Sequence, residues 1–128
     1  MKKTAFLCFV ALMAIVGCNE ATEPKITTIT AEEMQSLLEA ENVKLIDVRT
    51  EEEYKAGAIP GAQNIDFLSP TFYDDIKSLD KNEPVIVYCK TGRRSLKCAE
   101  ELVKQGFVKI YDLEGGYSKW IHETPDKN

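Results

Sequence analysis

From Ile26 onward the apolar positions switch repeatedly between strand-like and helix-like spacing. Ile26 to Ile29 is a short β-prone run. Thr30-Ala31-Glu32-Glu33 then has the form of a capping box, with Thr30 as N-cap and Glu33 at the third helical position. Met34, Leu37 and Leu38 supply an apolar helical face behind it. Val43 to Val48 is β-rich, and Glu51, Glu52 and Glu53 suit the first turn of a short helix, where carboxylates meet the positive dipole end. Gly57 and Pro60-Gly61 mark turns, Ala62 to Phe67 holds a further short strand, and Phe72 to Leu79 is weakly helical. Val85 to Tyr88 is a short, wholly apolar run, as expected of a buried central strand. A helical pattern begins at about Ser95, with Leu96, Ala99, Leu102 and Val103 as its stripe and Gly106 as its end. Val108 to Leu113 gives the last strand, Gly115-Gly116 a turn, and Tyr117 to His122 a terminal helix. Strands separated by helices predict an α/β domain over residues 26–124, with a central, mostly parallel sheet flanked by helices on both faces. In such sheets the binding crevice lies beyond the C-terminal ends of the strands, and Cys89 stands at that end of the run read as most central.

The first residues follow a different pattern. Met1-Lys2-Lys3 is basic and Ala5 to Val16 is nearly unbroken apolar sequence, too short to span a bilayer and of the right length for a secretory leader. The run ends in Ile15-Val16-Gly17-Cys18, which resembles the lipobox of bacterial lipoproteins. That resemblance implies cleavage of residues 1–17, a lipid on Cys18, a polar tether over residues 18–25, and a place in the bacterial cell envelope on the periplasmic or surface side.

Composition changes the picture in two ways. The 128-residue chain carries a formal charge of −5, which becomes −7 once Lys2 and Lys3 leave with the leader. An acidic domain argues against a nucleic-acid partner, and nothing in the chain calls for more than a monomer. Of four cysteines, Cys8 lies in the leader and Cys18 at its end, so Cys89 and Cys98 alone remain for the domain. Two cysteines, no CxxC pair and a single histidine, His122, give neither a disulfide framework nor a structural metal site. No cofactor or metal is called for.

The positive charge that does exist gathers at one place. Lys90, Arg93 and Arg94 follow Cys89 within five residues, in the run Cys89-Lys90-Thr91-Gly92-Arg93-Arg94-Ser95. A thiol between a strand end and a helix start, beside cations and unpaired backbone N–H groups, is expected to ionise readily. Helix starts ordinarily favour acidic residues, so two arginines there point to an anionic ligand. With no histidine nearby in sequence, activation of the thiol is expected from local cations and N–H groups instead of a base. Cys98 reads as a small core residue, Tyr117 and Trp120 as packing for the last helix, and His122 as an exposed terminal residue.

Four segments, in order, resemble a single-domain rhodanese. They are Leu45-Ile46-Asp47-Val48-Arg49, the segment Glu53 to Ala62 with its Ile59-Pro60-Gly61 turn, the loop Cys89 to Arg94 followed by Ser95, and Gly115-Gly116-Tyr117 with Trp120. The resemblance covers roughly residues 26–122. It implies a sulfurtransferase in which Cys89 takes a sulfane sulfur from thiosulfate or a similar donor and passes it, as a persulfide, to cyanide or a thiol. On that reading Lys90, Arg93 and Arg94 bind the dianionic donor and the departing sulfite. The backbone from Lys90 through Thr91 and Gly92 to Ser95 cradles the persulfide, and Gly92 permits the tight bend. Arg94 holds the position of the family's loop-closing arginine. Asp47 and Arg49 are expected to hold the loops beneath the site by ion pairing.

Two alternatives belong to other classes. Phosphatase and arsenate-reductase relatives of the fold resemble Cys-x5-Arg, one residue longer, whereas here Ser95 stands six residues after Cys89. A persulfide carrier that delivers sulfur to a partner protein with little turnover would keep the same loop. Ala58 stands where many rhodaneses carry histidine, which puts any role of that histidine in doubt here.

Overall fold

The computed structural model describes residue 17, residues 25–40 and residues 42–127. The predicted leader up to residue 16, with Cys8, and the lipid site Cys18 with the tether to residue 24, lie outside the described residues. Five strands alternate with five α-helices: β1 (Lys25–Ile29), α1 (Ala31–Ala40), β2 (Lys44–Asp47), α2 (Glu51–Ala56), β3 (Gln63–Asn64), α3 (Phe72–Asp75), β4 (Val85–Tyr88), α4 (Arg93–Lys104), β5 (Lys109–Leu113) and α5 (Gly116–Glu123). The strands form one sheet in the order β1-β5-β4-β2-β3, and each of its pairings is parallel.

Side-chain alternation along the strands builds two cores, one on each face of the sheet. Ile46, Val85, Val87 and Ile110 pack with Phe72, Cys98, Ala99 and Leu102 from α3 and α4. Leu45, Ile86, Tyr88, Tyr111 and Leu113 pack with Met34 of α1 and Trp120 of α5 on the other side. The capping box of α1 forms in both directions: the Thr30 N–H donates to Glu33 Oε2 at 2.8 Å and the Glu33 N–H to Thr30 Oγ1 at 3.2 Å. β4 is the middle strand and all four of its residues are buried, as its unbroken apolar run predicts.

Four details differ from the expectation. Lys25, placed in the tether, pairs with Lys109 as the first residue of β1. The strand expected over Ala62 to Phe67 shrinks to Gln63–Asn64. The chain beyond it stays beside β2 through the Ile65 and Phe67 N–H groups, which donate to the Asp47 and Val48 carbonyls at 2.9 and 3.2 Å, but it forms no regular ladder. α4 starts at Arg93, two residues earlier than Ser95, because Gly92 caps it in the left-handed region at φ +109°. Its buried face is Ser95, Cys98, Ala99 and Leu102, not a stripe beginning at Leu96, which is 44% exposed. Spacing of three, four and seven residues from Ser95 defines that face, so Leu96 points away and a serine occupies a core-facing position.

Candidate active site

The chain leaves β4 at Tyr88 and turns through Cys89 to Gly92 before α4 begins. Lys90, Thr91 and Arg93 are exposed, while Cys89 beneath them is 1% exposed. The Gly92 N–H donates to Cys89 Sγ at 3.0 Å. A Cβ at Gly92 would meet nothing within 4 Å, so glycine suits the position through its positive φ and not through lack of room for a Cβ. The thiol itself is held below the ordinary cysteine range. Burial alone would push it up, but the Ser95 hydroxyl and the backbone N–H groups of Ser95, Gly92 and Thr91 outweigh that. Sequence reasoning named local cations and backbone N–H groups together; the Ser95 hydroxyl and the N–H groups of Ser95, Gly92 and Thr91 are the groups that hold the thiol low.

α4 is built to leave those donors available. α1 and α2 each begin with a Thr–Glu capping pair, whereas no side chain caps the N-terminus of α4. Its first-turn N–H groups have no partner within the helix and face the loop, an arrangement suited to an anion.

The three cations of the loop are not equivalent. Arg94 grips Glu53 with both terminal nitrogens, at 2.8 and 2.9 Å. The pair keeps the Glu53 carboxyl below its usual range, mainly through that hydrogen bond. Arg94 also feels the Cys89 charge, so it closes the loop onto α2 and adds positive potential at the sulfur. The side chains of Lys90 and Arg93 make no hydrogen bond or ion pair among the described residues and are exposed at the loop surface.

Beneath the loop lies a buried ion pair. Asp47 and Arg49 are 0% and 4% exposed and meet at 2.7 Å. The Asp47 carboxylate also accepts the Arg49 backbone N–H at 2.9 Å and the Tyr88 hydroxyl at 2.8 Å. The Tyr88 oxygen accepts the Ile59 N–H at 3.1 Å. Burial first, and then the Asp47 charge, push the Tyr88 hydroxyl far above its ordinary range, which fixes it as a donor to Asp47. Arg49 spends its other contacts on the Gly57 carbonyl at 2.6 Å and on the Tyr117 ring, whose centre lies 4.2 Å away. This cluster ties β2, β4, the Gly57–Ile59 turn and α5 together below Cys89.

α5 completes the floor. The Tyr117 and Ser118 N–H groups donate to the Cys89 and Lys90 carbonyls at 2.8 and 3.0 Å. Gly116 lies so close that a Cβ there would come within 2.5 Å of the Cys89 oxygen and 2.8 Å of the Lys90 carbonyl carbon. Gly116, read with Gly115 as a turn, is therefore a docking contact for the Cys89 loop.

A family model of the rhodanese-like domain matches residues 30–123. The chain belongs to the rhodanese-like family. It is 39% identical over 97 residues to the thiosulfate sulfurtransferase GlpE of Pseudomonas fluorescens (strain SBW25), across 76% of this chain and 86% of that protein. The crystal structure of a rhodanese-like domain protein from Staphylococcus aureus matches at a TM-score of 0.65 and 37% identity, covering 73% of this chain and 90% of that one. The human single-domain sulfurtransferase TSTD1 matches at a TM-score of 0.64 and 27% identity, covering 75% of this chain and 96% of that one.

The rhodanese domain thus gathers Cys89, the loop from Lys90 to Ser95, and the supporting pair Asp47–Arg49 at the C-terminal end of β4 and β2. Two contributors were not named as site residues from sequence. Glu53 was read only as a first-turn carboxylate, although it precedes Tyr54 in a family-like segment. Tyr88 was read as strand core. Among the described residues no group of three or more His, Cys, Asp or Glu side chains could hold a metal ion.

Proposed function

We propose that this chain is a sulfurtransferase that moves a sulfane sulfur from thiosulfate, or a donor of the same chemistry, to a thiophilic acceptor through a Cys89 persulfide. The observation that carries the proposal is the single-sulfur cradle: a buried thiol held low by Ser95, Gly92 and Thr91 at the uncapped start of α4. The family and the thiosulfate sulfurtransferases related to the chain support it.

In the first half-reaction the Cys89 thiolate attacks the outer sulfur of thiosulfate. A Cys89 S–S bond forms, the S–S bond of thiosulfate breaks, and its electron pair leaves with sulfite. Lys90 and Arg93 receive the dianion at the loop surface, and Arg94 supplies potential from its place against Glu53. The persulfide anion is then stabilised by the donors that held the thiolate, together with the first-turn N–H groups of α4. In the second half-reaction cyanide or a thiolate attacks the outer sulfur, and the Cys89 thiolate leaves. Neither half requires a proton from the protein when the reacting sulfurs are anionic, which fits the lack of a histidine in the loop. A loop of six residues from Cys89 to Arg94 disfavours phosphate and arsenate chemistry.

The full chain is expected to form thiocyanate from thiosulfate and cyanide, and Cys89→Ser to abolish it. Full activity in that variant overturns the reading. Release of a bound sulfur only to a partner protein favours the carrier alternative. We also propose that Cys18 carries a lipid and tethers the domain to a membrane of the cell envelope. The support is the sequence pattern of residues 1–18; no described helix is long and apolar enough to cross a membrane. Metabolic labelling with a radioactive fatty acid is expected to mark the chain and to be lost in Cys18→Ser; equal labelling of both contradicts it.

A further inference from the structure

The end of the sheet opposite the Cys89 loop carries a charge pattern that sulfur transfer does not use. β1, β2 and β5 each begin with an exposed lysine, Lys25, Lys44 and Lys109. The parallel register lines these starts up at one end, with Lys25 opposite Lys109 and Lys44 opposite Val85, the first residue of β4. Exposed Lys81 joins them, because the Val108 N–H donates to its carbonyl at 3.1 Å. Carboxylates at this end are engaged locally. Asp80 accepts the Asn82 N–H at 2.9 Å, Glu83 the Asn42 amide at 3.4 Å and Glu39 the Gln35 amide at 2.7 Å. Glu101 pairs with Lys104 at 3.4 Å. In a chain of formal charge −5, four lysines gathered at one end are a local reversal of sign.

A cleft at the same end has an apolar floor beside two of these lysines. Pro84, Val108 and Tyr111 line it together with Lys25 and Lys109, and none of its described lining residues is acidic. The Lys109 ammonium lies 5.4 Å from the centre of the Tyr111 ring. Lysine stems over apolar surface, with their charged heads outward, match a layer that is anionic outside and apolar within. The cleft is also where the chain enters the domain, since Lys25 follows directly on the tether. Fully extended, residues 18–24 reach at most ~25 Å, so a lipid on Cys18 holds this end of the sheet, and no other, against the bilayer.

We propose that the lysine-bearing end of the sheet is a docking face for anionic membrane lipid. The docking rests on the lipid reading of Cys18, which brings the face within reach of the headgroups. Lysines close to an anionic leaflet are drawn to it over about a Debye length, roughly 8–10 Å in ordinary salt. Cys89 stands at the far end of β4, on the order of 15 Å from the strand starts at about 3.3 Å per residue. Docking therefore turns the reactive loop away from the bilayer, toward dissolved sulfur donors and acceptors.

The test is lysine footprinting of the full chain on vesicles. The chain is reconstituted into phosphatidylcholine vesicles, or into phosphatidylcholine–phosphatidylglycerol vesicles, and treated with a membrane-impermeant acetylating reagent. Peptide mass spectrometry reads each lysine relative to Lys97. On the anionic vesicles Lys25, Lys44 and Lys109 are expected to react at least about threefold more slowly than on the neutral ones, and the difference to vanish in about 1 M salt. Lys90, at the other end, is expected to react equally on both. Lys25→Gln combined with Lys109→Gln is expected to remove the protection of Lys44 and to leave thiocyanate formation unchanged. Equal labelling on the two vesicles, protection that extends to Lys90, or protection of Lys44 that survives the double substitution overturns the proposal. Flotation with the neutral vesicles reads the anchor separately. A chain that floats there yet shows no protection on the anionic vesicles keeps the anchor and loses the docking face. One that floats only with the anionic vesicles, with Lys25 and Lys109 protected, keeps the docking face and loses the anchor.

Discussion

Removing the Asp47 carboxylate tests whether the buried pair beneath the loop supports the fold. In Asp47→Ala the Arg49 guanidinium loses the bonds to Asp47 at 2.7, 3.0 and 3.1 Å and keeps the Gly57 carbonyl and the Tyr117 and Tyr88 rings. The Tyr88 hydroxyl also loses its acceptor. Arg49 is only 4% exposed. Breaking a buried pair from one side costs about 3–5 kcal/mol, because a charge is left uncompensated. That is a large share of a typical total of roughly 5–15 kcal/mol. With a urea slope of about 1–3 kcal/mol/M for a domain of this size, the unfolding midpoint falls by roughly 2 M. The companion variant Asp47→Ala with Arg49→Met removes the orphaned charge and is expected to recover about half of the loss. Urea unfolding followed by far-ultraviolet circular dichroism measures both. A single variant that loses less than about 1 kcal/mol, or a double variant no more stable than the single one, refutes the reasoning.

Other predictions follow from the same contacts. Glu53→Gln releases Arg94 from its two-point grip, and with both partners about a third exposed or less the cost is about 1 kcal/mol, read by thermal melting. Because the Glu53 carboxyl is lowered by Arg94, its contribution is present above the ordinary glutamate value and is lost as pH falls through the lowered one; the stability difference between the variant and the native chain is expected to vanish in acid. Gly116→Ala forces a Cβ against the Cys89 and Lys90 backbone, with an expected cost of about 1–3 kcal/mol and slower alkylation of Cys89; an unchanged rate contradicts the docking role given to that glycine. Asp112→Asn is expected to be no less stable than the native chain at neutral pH. Burial on β5 raises the Asp112 carboxyl, which contributes fully below the ordinary aspartate value and loses that contribution as pH rises through its folded value.

The alternation of strand and helix was legible because each element carried its own signal: the Thr30–Glu33 box, the unbroken Val85–Tyr88 run and Gly106 at the end of α4. Edges were less so. β3 has only two paired residues, since the backbone groups of Ile65 and Phe67 find β2 carbonyls without a regular ladder. The site was legible in its local part, Cys89 to Ser95, where neighbours in sequence are neighbours in space. Its long-range part was not. Glu53 meets Arg94 across 41 residues, and Tyr88 reaches Asp47 across as many. No local spacing encodes either contact. Arg94 was set apart by its loop-closing position, but only the fold shows that its partner is Glu53. Ser95 on the buried face of α4 displaced Leu96 from the expected stripe, so the mismatch in the hydrophobic pattern marks a polar residue held in the core beside the Cys89–Gly92 turn.

The most direct test of the central claim is the mass of the full chain after thiosulfate treatment. One added sulfur atom, mapped to the peptide containing Cys89, absent in Cys89→Ser and removed by cyanide, is the result this account predicts. A chain that gains no sulfur, or gains it on Cys98 with Cys89 unmodified, contradicts it.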